Sequence, residues 1–107
     1  MINASDLELD MELYQDDLVK QKFLSAIQNS GAKVVDVHDH NFDPYGYTCS
    51  VILAESHAVI HTYPEYNAIY VDFFACGNDV DFNVFLTSII EEFQPLRMEY
   101  KVIDRVI

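Results

Sequence analysis

Between residues 54 and 77 the chain reads Ala-Glu-Ser-His-Ala-Val-Ile-His-Thr-Tyr-Pro-Glu-Tyr-Asn-Ala-Ile-Tyr-Val-Asp-Phe-Phe-Ala-Cys-Gly. That stretch gathers a hydroxyl (Ser56), two imidazoles (His57 and His61), carboxylates (Glu55 and Glu65) and a thiol (Cys76). A hydroxyl nucleophile, a base that titrates near neutrality and a proton donor are the parts of a covalent catalyst. Taken singly, each has a plainer reading: a serine at a strand end is usually a turn residue, and a cysteine is usually a small buried apolar group.

The elements that must position these groups follow from periodicity. Residues 7–14 alternate apolar Leu7, Leu9, Met11 and Leu13 with acidic Glu8, Asp10 and Glu12, the pattern of a strand with one buried face. Asp16 and Asp17 are placed to cap a following helix whose apolar stripe is Val19, Phe23, Ala26 and Ile27, and Ser30-Gly31 ends it. Residues 33–40 read as a strand with Val35 and Val37 on one face and Asp36 and His38 on the other. Pro44 and Gly46 turn the chain within 41–47. Strands are then expected over 48–55, 57–63 and 68–76, with Pro64-Glu65-Tyr66-Asn67 reversing direction between the last two. Phe82, Phe85, Leu86, Ile89, Ile90 and Phe93 define one side of a second helix, Pro95 stops it, and residues 98–106 form a final strand.

This order predicts an α+β fold, a two-layer αβ sandwich in which both helices cover one face of a mostly antiparallel sheet. The three strands around Ser56 are apolar at almost every position, so they are expected at the centre of the sheet. An apolar uncovered sheet face on so short a chain predicts a homodimer. Glu91 and Glu92 fall near the end of the second helix, where the dipole disfavours them, so another contact is expected to hold them.

With 107 residues, seven Phe and seven Tyr, the composition is that of one small folded domain spanning 1–107. The net charge of −12 argues against nucleic acid or an anionic membrane as partner and favours a small cationic substrate. No apolar run approaches the roughly 20 residues that span a bilayer. Two cysteines, Cys49 and Cys76, without a signal peptide suggest free thiols in the cytoplasm, with Cys49 in the core.

The residues Glu55-Ser56-His57, His61-Thr62, Pro64-Glu65, Asp72 and Cys76-Gly77 resemble, in type and spacing, the signature of the prokaryotic S-adenosylmethionine decarboxylases. The resemblance implies a proenzyme that cuts its own chain between Glu55 and Ser56, giving pieces 1–55 and 56–107. In that chemistry the Ser56 hydroxyl adds to the Glu55 carbonyl, the amide becomes an ester, a base removes the Ser56 α-proton, and elimination and hydrolysis leave a pyruvoyl cofactor. That group condenses with the substrate amine and accepts electrons as carbon dioxide leaves. By the same resemblance His61 is the base, the Thr48 hydroxyl steadies the tetrahedral intermediate where the family has serine, and Cys76 protonates the product. Glu65 matches a carboxylate that binds ribose hydroxyls, and Phe42 an aromatic that stacks on adenine. The implied product is the aminopropyl donor for spermidine.

The chain departs from the family at Asp6-Leu7-Glu8, where a Gly-x-His element is usual, at Asp43, and at Tyr63, which replaces a tryptophan. The added carboxylates raise a second substrate class, a basic amino acid such as arginine or ornithine decarboxylated by the same chemistry. A third reading is an unprocessed, non-catalytic relative that binds a small molecule or a protein. His38, His40, His57 and His61 invite a metal site, but no CxxC or HExxH spacing accompanies them, and no metal is expected.

Overall fold

Alternating side chains in three successive strands set the architecture. In the computed structural model, residues 2–7, 15–54, 56–75 and 80–103 are described. They form β1 (Ile2–Leu7), α1 (Asp16–Asn29), β2 (Val34–Asn41), β3 (Tyr47–Leu53), β4 (His57–Tyr63), a 3₁₀ turn (Pro64–Tyr66), β5 (Ala68–Phe74), α2 (Phe82–Phe93) and β6 (Pro95–Tyr100). The sheet has the order β2-β3-β4-β5-β1-β6, and its neighbouring strands pair antiparallel.

The register puts Cys49 opposite Ile60 and Ile60 opposite Val71, so Tyr47, Cys49, Val51, Leu53, Ala58, Ile60, Ile69 and Val71 share one face. Against it pack Val19, Phe23, Ala26 and Ile27 of α1 and Phe85, Ile89 and Phe93 of α2, all buried in one core. The Phe23 and Phe85 rings meet edge to face at 6.3 Å, and Phe73 stacks on Phe85 at 4.1 Å. Both helices therefore cover one face of an antiparallel sheet, as expected. Cys49 is a fully buried core thiol, and burial pushes its pKa up.

Several elements differ from the sequence reading, each for a local reason. The N-terminal strand is Ile2–Leu7, paired between β5 and β6, where 7–14 was expected; residues 8–14 lie outside the described residues. In β2 the register shifts between Val34 and Asp36, a bulge that sends Val35 into solvent at 61% exposure. Val34 and Val37, rather than Val35 and Val37, pack against the core. The N-cap of α1 is Gln15 without a side-chain cap bond; Asp16 and Asp17 occupy the first turn, where they suit the dipole. Gly31, at φ 91°, supplies the left-handed exit that its sequence position implied.

In α2 the cap is Asp81, which accepts hydrogen bonds from the N–H groups of Asn83 and Val84 at 2.9 and 3.2 Å. The buried stripe is Phe85, Ser88, Ile89 and Phe93, and Ile90 is turned outward, 40% exposed. Glu92 accepts from Lys22 Nζ at 3.0 Å, tying α2 to α1, which answers for one of the two acids at the unfavourable helix end. Gln94 adopts a left-handed conformation, so the chain turns directly into β6 at Pro95 and the last strand begins and ends earlier than 98–106. A proline at the first residue of an edge strand costs no ladder bond.

The uncovered face is not the apolar surface expected. By the register it carries Thr48, Ser50, His57, His61 and Asp72 among Ile52, Val59, Tyr63, Tyr70 and Phe74, polar and apolar residues sharing the alternate positions of the central strands. Among the described residues no helix is long and apolar enough to cross a membrane.

At the edge of the core the Tyr47 hydroxyl donates to Asp39 at 2.7 Å, and Lys20 approaches the same oxygen at 3.3 Å. The bond from Tyr47, then that from Lys20, lowers the Asp39 pKa, while burial and the Asp39 acceptor raise that of Tyr47. A depressed carboxylate pKa contributes stability above its unfolded value of 3.8 and loses it as pH falls through the folded value. Tyr47→Phe is expected to lower the urea midpoint at pH 7, with the gap to the parent closing as pH drops from 4 toward 2. The bulge predicts a second asymmetry: Val34→Ala should destabilise by about 1–3 kcal/mol, whereas Val35→Ala should stay within about 0.5 kcal/mol, by urea unfolding.

Candidate functional site

The β3–β4 hairpin positions the hydroxyls and imidazoles. The Leu53 N–H donates to the Ser56 carbonyl at 2.9 Å, closing the hairpin at the start of β4, and Ser56 is half-buried. The strand then continues in register, His57 opposite both Ile52 and Phe74. At the far end of the hairpin Thr48 pairs with His61, and their side chains meet: Thr48 Oγ1 lies 2.8 Å from His61 Nδ1. Which of the two donates depends on the imidazole tautomer, and either arrangement fixes the ring and leaves Nε2 for work elsewhere.

Around this pair opens a cleft of about 550 Å³ lined by Phe42, Tyr45, Gly46, Thr48, His61, Thr62, Tyr63 and Glu65. The loop leaving β2 is closed by the Phe42 N–H donating to the Gly46 carbonyl at 2.8 Å. Gly46 has φ 109°, a conformation L side chains rarely adopt, and a Cβ there would stand 3.6 Å from the Phe42 Cβ. The loop is fastened to the sheet where the Tyr47 N–H donates to Thr62 Oγ1 at 2.9 Å. On the other side, Tyr63 rests edge to face on Tyr70 at 5.2 Å, and Glu65 projects from the 3₁₀ turn.

Four of the anticipated residues, Phe42, Thr48, His61 and Glu65, are thus brought into one cleft. Ser56 is not among them. It immediately precedes β4 and lies five residues from His61, roughly 16 Å along an extended chain. Glu55 and Cys76-Gly77 fall outside the described residues. Because His57 pairs with Phe74, however, the chain leaves β5 at the same end of the sheet where Ser56 enters β4.

The sequence reading missed Tyr45, Gly46 and Thr62 as cleft residues. Pro44 and Gly46 marked a turn, but only the closure of that turn over β4 reveals what it walls. Asp43 is exposed and is not among the cleft-lining residues, Asp6 lies in β1, and Glu8 is outside the described residues. The histidines are separately engaged: His38 with Asp36 at 3.0 Å, His40 against Phe42, His57 against Phe74 and His61 with Thr48. Among the described residues no three His, Cys, Asp or Glu side chains converge as a metal site.

The sequence profile of S-adenosylmethionine decarboxylase matches residues 2–106. The chain belongs to that family. Among relatives of the S-adenosylmethionine decarboxylase family, proenzyme 2 of Bacillus cereus is 37% identical over 98 residues, covering 91% of this chain and 80% of the relative. The proenzyme of Thermotoga petrophila is 43% identical over 79 residues, 73% of this chain, which spans 61% of that relative's length. The crystal structure of the adenosylmethionine decarboxylase from Aquifex aeolicus superposes with a TM-score of 0.87 at 26% identity, over 99% of this chain and 87% of that one. The family fold, a two-layer α+β sandwich, is therefore this chain's fold.

Gly46 gives the site its most direct structural test. Gly46→Ala is expected to cost about 1–2 kcal/mol from the positive φ alone, read as a lower urea midpoint, since the added Cβ would meet Phe42 only at an ordinary contact distance.

Proposed function

We propose that this chain is a self-processing carboxy-lyase that cuts itself between Glu55 and Ser56 and then decarboxylates S-adenosylmethionine, supplying an aminopropyl donor for spermidine. The observation that carries this reading is the hydrogen-bonded Thr48–His61 pair in a cleft that also holds an aromatic ring, Phe42, and a carboxylate, Glu65. A ring face together with a diol-binding carboxylate suits a nucleoside; a basic amino acid would use the carboxylate but needs no ring to stack on. Among the described residues Glu65 is the one carboxylate that lines the cleft, and the aromatic ring beside it favours the nucleoside over arginine or ornithine.

The start of β4 suits a pyruvoyl group derived from Ser56. Residues from His57 onward are paired on both sides, so a chain that begins at Ser56 keeps its place after the cut. Such a group supplies a carbonyl that accepts electrons as carbon dioxide departs. Within this reading Glu55 provides the carbonyl that Ser56 attacks, His61 takes the Ser56 α-proton, and the Thr48 hydroxyl both orients His61 and donates to the developing oxyanion. Cys76, two residues beyond the end of β5 in the sequence, is the proton donor in turnover. Phe42 stacks on the base and Glu65 accepts from the ribose hydroxyls.

One chain holds Ser56 and the Thr48–His61 pair at opposite ends of β4, so the complete site takes its halves from two copies. A two-fold axis that crosses β4 exchanges the two ends of the strand when the uncovered sheet faces meet. The Ser56 end of one copy then meets the cleft of the other. The mixed polar and aromatic character of that face fits an interface that is also an active site.

Three measurements test this reading. Intact mass should show two chains split after Glu55, the second carrying a pyruvoyl terminus, while Ser56→Ala stays whole; a wild-type chain that remains uncut identifies a non-catalytic binding relative. Carboxyl-labelled S-adenosylmethionine should release labelled carbon dioxide and labelled arginine and ornithine should not, and Cys76→Ala should lose turnover far more than cleavage. Ser56→Ala and His61→Ala chains, each inactive alone, should yield about one cut and active site per mixed dimer when co-expressed. No complementation would place both residues in one chain's site.

A further inference from the structure

Phe42 is half exposed at the rim of the cleft, and a ring in that position has several rotamers open to it unless neighbours remove them. Gly46 lies against it, close enough that a Cβ there would stand 3.6 Å from the Phe42 Cβ. The constraint is His40. Its ring meets that of Phe42 at 4.5 Å between centroids and 72° between planes, an edge-to-face contact. His40 and Phe42 are two residues apart where β2 runs out, and His40 pairs across the sheet with Thr48, which in turn bonds His61. One row of the uncovered face therefore runs from the support of the stacking ring to the imidazole of the cleft.

We infer that His40 is a positioning residue for nucleoside binding: its ring holds Phe42 in the orientation that receives the base. This rests on the reading of Phe42 as the stacking residue. Holding a rotamer-rich side chain in its bound orientation before the ligand arrives removes part of the ordering cost of binding. The effect belongs to affinity for the nucleoside portion and not to the reacting carbon, and it depends on a flat ring at position 40 rather than on a titrating one.

The test uses 5′-methylthioadenosine, which has the nucleoside without the amino-acid end, titrated calorimetrically into the uncut Ser56→Ala protein, so that the result does not depend on processing. Adding His40→Ala is expected to weaken binding about 3- to 10-fold, and His40→Phe, which restores a ring, to bring it back within about 2-fold. In the processed enzyme the His40→Ala loss should appear in KM rather than kcat. Unchanged binding in His40→Ala, a Phe variant no better than the Ala variant, or a loss confined to kcat would overturn the inference. Phe42→Ala separates the two layers. If it weakens binding while His40→Ala does not, only the role of His40 falls; if it leaves binding unchanged, the stacking role of Phe42 falls and the inference with it.

Discussion

The register of the β3–β4 hairpin is the constraint on which the rest of the structure depends. With Leu53 bonded to Ser56, Thr48 is forced opposite His61, and Cys49, Val51, Ala58 and Ile60 are forced onto the helix side. A slip of one residue would exchange the two faces, burying His61 and Thr48 and exposing the core. The same pairing thus selects the hydrophobic layer and the chemical one. It couples them tightly, because the hydrogen-bonded Thr48–His61 pair and the residues that have to be dry for stability are alternate positions of the same strands.

The helices reinforce this choice rather than create it. Phe23, Phe85 and Phe73 form a connected set of rings that locks α1 and α2 over the centre of the sheet, and the Lys22–Glu92 pair joins the helices at their margin. Tyr47 works on both sides of one strand position. Its hydroxyl reaches Asp39 and its backbone N–H reaches Thr62, which pins the strand entrance just before Thr48.

Much of this was readable from residues alone, and the exceptions have physical causes. The span 57–63 is β4 to the residue, because a nearly continuous apolar run, a proline after it and the Glu-Ser junction before it agree. The signature residues directed attention to Phe42, Thr48, His61 and Glu65, which the fold gathers. Periodicity has no means of registering a bulge, so Val35 was assigned the place that Val34 holds. Ile2–Leu7 carries no sustained alternation, and its place between β5 and β6 depends on partners far away in the chain; the strand expected over 7–14 lies outside the described residues beyond Leu7. The separation of Ser56 from His61 was hidden for a different reason: five residues look close in a sequence and are far apart in a strand.

The strand order has a consequence for what a cut after Glu55 leaves behind. The first piece would keep β1, α1, β2 and β3, and the second β4, β5, α2 and β6, yet β1 lies between β5 and β6. The two pieces are interleaved rather than abutted, with the first flanking β4 on one side and threading the second through its far edge. Separating them means breaking three strand boundaries, β3 to β4, β5 to β1 and β1 to β6, together with the helix layer. Backbone scission at the hairpin would therefore free a chain terminus for chemistry while the sheet itself remains a single cooperative body, and the pieces should exchange between molecules only as fast as the whole domain unfolds.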